Sequence, residues 1–130
     1  KRYPEDKILT KTMINNYSKA KVITPVKGKK YTKEQIIQML IIYQLKNNLS
    51  IQEIKDLLTP IYENNDDLSN LYDHFIDIKH SLNSQLQKIM DDYQLKIENY
   101  QDLFLLVSIL SSLSHSLTNI AEMLIETKEI

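Results

Sequence analysis

The side chains of this 130-residue chain that are best suited to chemistry would hold a partner rather than transform it. Asn15 and Asn16 carry short amides, and an Asn amide can pair bidentately with the edge of adenine. Lys27, Lys29 and Lys30 surround the single glycine, Gly28. Ammonium groups there suit phosphate oxygens, a contact that supplies affinity without sequence information. Other candidates carry less. Asp73, Asp77 and His80 fall within about 60° on one helix face, but three ligands on one straight helix rarely enclose an ion. A hydrated acidic face is the expectation, with no metal. His115, set among serines, is read as a hydrogen-bonded interface residue. No phosphate loop, nucleophile elbow or paired-His motif occurs, and the absence of Cys excludes thiolate sites and disulfides. A chain with few loops also has little from which to build a catalytic pocket. No enzymatic activity and no cofactor are expected.

The near-neutral net charge of -1 hides a division. Residues 1–60 hold twelve Lys or Arg against five Asp or Glu, a balance of +7, and residues 61–130 hold four against twelve, a balance of -8. A basic body attracts phosphates and an acidic one is repelled by them. Richness in Ile, Lys, Asn and Tyr would raise Lys everywhere without segregating it. The positive charge is densest before Glu34, where ten Lys or Arg meet only Glu5 and Asp6.

These residues need elements to position them, and one Gly with three Pro points to long helices rather than a sheet. Thr10 or Thr12 can cap a short helix over about 11–19, with Met13, Ile14 and Tyr17 as its apolar edge. The β-branched stretch Val22-Ile23-Thr24-Pro25-Val26, followed by Lys27-Gly28 and ending at Tyr31, reads as a small β-hairpin. Thr32 with Gln35 forms a capping box ahead of a helix apolar nearly all round, the expected core helix. Ser50 with Glu53 forms a second, opening a two-turn helix that Pro60 should end. A domain over 1–60 and a helical region over 61–130 result.

In the second region a long helix from about Asp67 carries apolar residues from Leu68 to Tyr93 in three-four alternation. After a polar break at 98–101, Leu103, Leu106, Leu110, Leu113, Leu117, Ile120 and Leu124 keep strict three-four spacing, a coiled-coil seam. Val107, Ile109, Ala121 and Met123 widen it, which favours a bundle of more than two helices. Either the two helices make their own core, or two hairpins from two chains form a dimer; the seam's width favours the dimer. Leu103 to Ala121 approaches membrane-spanning length, but eight of its nineteen residues are Ser, His, Thr or Asn. No membrane span is expected, and the absence of Cys fits a reducing, cytoplasmic setting.

Taken in order, Ile14-Asn15-Asn16-Tyr17, Val22-Ile23-Thr24-Pro25, Lys29-Lys30-Tyr31-Thr32 and Leu49-Ser50-Ile51-Gln52-Glu53-Ile54 with Leu57-Leu58 resemble the DNA-binding domain of MerR-type transcriptional regulators. The match spans about residues 9–58. The chain is also similar to an uncharacterised bacterial domain-of-unknown-function family that joins such a half to a helical C-terminal region. The resemblance implies a mainly α protein: a MerR-like winged helix-turn-helix domain with a small β-hairpin wing, then a two-helix dimerisation hairpin. It further implies that the helix over 11–19 is the recognition helix. Lys11, Thr12, Asn15, Asn16, Tyr17 and Lys19 would then meet DNA, with Lys27, Lys29 and Lys30 on the wing. The family's preceding helix has no counterpart in residues 1–9 and is expected upstream or lost. Asn15 and lysines stand where the family often has Arg, which suggests A·T-biased or weak reading. Lys21 stands in place of the usual helix-ending Gly.

A homodimeric bacterial regulator that binds duplex DNA is the function expected, with no effector identifiable. The alternative is a protein-interaction module whose C-terminal helices bind a partner and whose basic half has lost DNA.

Overall fold

The computed structural model describes residues 10–24 and 30–128. Five helices follow one another: α1 Lys11–Lys19, α2 Lys33–Leu45, α3 Ile51–Glu63, α4 Leu68–Gln94 and α5 Tyr100–Thr127. Their starts are local chemistry. Thr10 accepts a hydrogen bond from the Met13 N–H at 3.1 Å and opens α1. Thr32 and Ser50 each make a full capping box, with Gln35 and Glu53 reaching back to the cap N–H at 2.8 Å. Each box satisfies two of the amide groups that a helix start leaves without partners. Asn99 caps α5 through the Asp102 N–H.

The ends of α1 and α3 are alike. Lys21 has φ 63° and Asn65 φ 53°, both in the left-handed region. Beyond α1, the Val22 N–H reaches the Tyr17 carbonyl at 2.9 Å and the Lys21 N–H reaches Ser18 at 3.0 Å. Beyond α3, Asp66 reaches Ile61 and Asn65 reaches Tyr62 in the same pattern. These are Schellman ends, whose left-handed residue is most often Gly. Asn tolerates that conformation better than Lys, because its short polar side chain can bond locally.

Among the described residues there is no strand, which corrects the expected winged architecture. Ala20 and Lys21 form a turn, Val22 and Ile23 a bend, Thr24 is irregular, Lys30 lies in a bend, and the expected hairpin turn at Lys27-Gly28 lies outside the described residues. The reason is that the backbone groups a ladder would need are already committed. The Val22 and Ile23 N–H groups both donate to the Tyr17 carbonyl. The Val22 carbonyl accepts from the Tyr62 hydroxyl at 2.7 Å. The Thr24 N–H donates to Gln38 Oε1 at 2.9 Å, and its carbonyl accepts from Gln35 Nε2 at 3.1 Å. Val22 and Ile23 are fully buried. Their β-branched side chains serve a core and not a sheet.

Pro60 does not end α3, which runs on to Glu63. Proline removes one bond of the helical ladder, but the Pro60 carbonyl still accepts from Asn64 at 3.0 Å. Continuation brings Tyr62 to Val22.

The chain divides into two compact units, Lys1–Tyr72 and Asp73–Ile130. In the first, Tyr17, Val22, Ile23, Ile42, Ile54 and Leu58 form the core, flanked by Met13, Ile14, Met39 and Tyr62. In the second, α4 and α5 carry large apolar side chains that stay largely in solvent.

Candidate nucleic-acid interface

Helix α1 has two unlike faces. Met13, Ile14, Tyr17 and Ala20 turn toward the core, while Lys11, Thr12, Asn15, Asn16 and Lys19 are exposed. At 100° per residue the exposed five fall within roughly 140° of arc. Lys11, Asn15 and Lys19 stand four residues apart in one row, with Thr12 and Asn16 beside it. No acidic residue lies on α1. The arrangement offers two short amides between two ammonium groups, a set that can bond base edges and phosphates together.

Tyr17 does not join that face. It is 8% exposed and part of the core, and burial pushes its phenol pKa up. Its expected DNA contact is therefore corrected to a packing role: an apolar ring at the middle of α1 takes the inward edge. Lys21, Lys30 and Lys33 are exposed and add positive charge. Lys27 and Lys29 lie outside the described residues.

Two glutamines of α2 tie the segment after α1 to that helix. Gln35 Oε1 accepts from the Thr32 N–H and Gln35 Nε2 donates to the Thr24 carbonyl. One side chain, 3% exposed, thus grips residues on either side of the lysine-rich stretch. Gln38, fully buried, accepts from both the N–H and the hydroxyl of Thr24 through Oε1. Its Nε2 has no hydrogen-bond partner among the described residues. Sequence reading finds Gln35 through its capping box but gives no signal for Gln38 beyond a polar residue inside an apolar helix. Tyr62 is equally hidden to it. Burial, with the negative charge of Glu34 adding, pushes the Tyr62 hydroxyl far above the usual tyrosine range. It stays protonated and able to donate to Val22.

In the second unit, the seam residues Leu103, Leu110, Leu113, Leu117, Ile120 and Leu124 are all exposed, and Leu106 is half-buried. An apolar groove of about 520 Å³ lies between α4 and α5, lined among others by Leu86, Ile89, Tyr93, Leu105 and Ile109. By length and composition α5 could cross a membrane, with a mean hydropathy of 1.5 over its most apolar window. Among the described residues no group of His, Asp or Glu could hold a metal ion, Asp73, Asp77 and His80 included.

A family model described as a domain of unknown function, DUF1836, matches residues 1–75. No curated protein and no solved structure matches the chain.

Proposed function

The chain belongs to the DUF1836 family of domains of unknown function, and from that premise we propose that it binds duplex DNA through the exposed face of α1, as a homodimeric transcriptional regulator in the cytoplasm. One observation carries the reading. The solvent face of α1 presents Lys11, Asn15 and Lys19 in a row, flanked by Thr12 and Asn16, on a helix without acidic residues. The unit that holds it also carries the positive charge of the chain, and the acidic remainder is repelled by phosphate. The resemblance to MerR-type regulators supports the reading through α1 and the two capped helices alone, without a wing. The activity is binding rather than catalysis, and no effector is assigned. In a symmetric dimer, two α1 faces would meet successive major grooves about 34 Å apart, or a multiple of that, on a roughly palindromic site.

The test is the salt dependence of binding to duplex DNA. Each phosphate neutralised by a lysine contributes about 0.9 to the slope of log affinity against log salt. Lys11→Ala with Lys19→Ala is expected to weaken binding and reduce the slope by about 1.8. Asn15→Ala with Asn16→Ala should lower discrimination between duplexes while leaving the slope unchanged. An unchanged slope in the lysine variant removes α1 from the interface. Absence of wild-type binding at low salt favours the interaction module, which the exposed apolar surface of α4 and α5 also suits.

A further inference from the structure

We propose that a second copy of this chain covers the open apolar edge of α5, placing α5 at the centre and α4 at the outside of a two-chain helical bundle. This rests on the dimeric reading above and adds to it the surface and the order of the helices. The first observation is the difference between the two helices. At 100° per residue, the apolar positions of α4, from Ile78 through Leu82, Phe75 and Met90 round to Ile76, span roughly 160°. The apolar positions of α5 run from Leu105 and Met123 round to Val107 and Ile125 over roughly 200°, and Tyr100 and Phe104 at its N-terminal end extend the arc to roughly 260°. A helix with one neighbour needs an apolar stripe of about 100°. Both arcs exceed that width, and the arc of α5 is the wider by roughly 100°, so α5 needs the more neighbours.

The second observation is where the exposure lies. On one edge of the α5 arc, Thr118, Ala121 and Ile125 near the C-terminal end are buried or half-buried, while Val107, at the same angle as Ile125, is 57% exposed. Leu105, Ile109, Leu113, Met123 and Leu124, on the other edge, are each more than half exposed. The uncovered residues therefore form a continuous strip along the helix.

The third is its extent. Nineteen large apolar side chains between Phe75 and Leu124 on these two helices are more than a third exposed. At roughly 100 Å² for a fully buried aliphatic side chain, half-exposure leaves on the order of 900 Å² in water. That exceeds the roughly 300–600 Å² of the largest apolar patch on a typical monomer. It approximates the roughly 800 Å² that each partner contributes to a standard interface.

A lipid bilayer is the competing occupant, because α5 is long and apolar enough. The pattern favours protein. Ser108, Ser111, Ser112, His115 and Asn119 fall together within roughly 100° on the remaining face, and Glu122 and Glu126 continue it. A polar face broken only by Phe104 near its start suits a bundle surface and not a hydrocarbon core.

Light scattering of the full chain at micromolar concentration, without DNA, tests the proposal. The expected mass is twice the 15.3 kDa of one chain. Leu113→Lys with Leu124→Lys replaces side chains already exposed in the single chain, so helicity by circular dichroism should persist while the mass falls to one chain. Ser111→Lys, on the opposite face, should leave the dimer intact. A wild-type monomer overturns the proposal. So does equal dissociation by Ser111→Lys, or a monomer that co-sediments with phosphatidylcholine vesicles. Because DNA is absent, loss of the α1 reading leaves this result unaffected, and a monomer that still binds DNA defeats the bundle alone.

Discussion

The first unit is closed on itself and the helical hairpin is not. In the first, six residues from α1, the segment after it, α2 and α3 meet in one core, and buried glutamines fasten the irregular backbone. In the second, Ile125 is the sole buried residue among those described. The more regular region is thus the less complete. Periodicity sets which face of a helix is apolar, but burial needs elements on more than one side. Three short helices and a turn enclose a core, whereas two long helices present stripes wider than they can cover.

Equal truncations in the two units would break or sharpen this contrast most strongly. Ile54→Ala, at a fully buried site, should destabilise the first unit by about 2–5 kcal/mol. Leu117→Ala, at a site 66% exposed in the single chain, should change stability by less than about 0.5 kcal/mol. Urea unfolding at a concentration where light scattering gives one chain is the measurement. Similar costs would mean that the hairpin possesses a core of its own.

A smaller effect is expected at the polar fastening. Tyr62→Phe deletes the hydroxyl bonded to the Val22 carbonyl and should cost about 1–3 kcal/mol. Because the folded-state pKa of Tyr62 is raised, its stabilisation is fully present below the unfolded value near pH 10 and is lost as pH rises above it. The wild type should weaken above about pH 10 in chemical unfolding, and the Phe variant should lose that part of the alkaline sensitivity. Identical alkaline profiles would remove Tyr62 from the fastening.

The smallest effect concerns the end of α1. Lys21→Gly relieves a left-handed residue and should raise the stability of the first unit by about 1 kcal/mol. A loss of stability in thermal unfolding would show that the Lys21 side chain does more there than tolerate its conformation.

Much of the helical order was legible in the residues. Thr10, Thr32 and Ser50 mark starts because a cap bonds an amide three positions ahead. The exposed row of Lys11, Asn15 and Lys19 follows from the same short-range geometry. The errors lie where distant groups compete for the backbone. Val22-Ile23-Thr24 has the composition of a strand, and the same β-branched side chains suit a core once another partner takes their amides. Pro60 looks like a terminator, yet packing of the next turn carries α3 past it. Tyr17 is amphipathic enough for either face of α1.

By itself, then, the sequence determined the helical character of the chain, the starts of its helices, the segregation of charge and the apolar stripe of α5, all properties of neighbouring residues. Only the tertiary structure decided that residues 22–24 are a fastened bend, that Tyr17 points inward and that most of the apolar arc of α5 stays in solvent. The Thr24 to Gln38 and Val22 to Tyr62 bonds span 14 and 40 residues. No local propensity specifies such pairs, because which buried polar group satisfies which depends on the elements that fold against it.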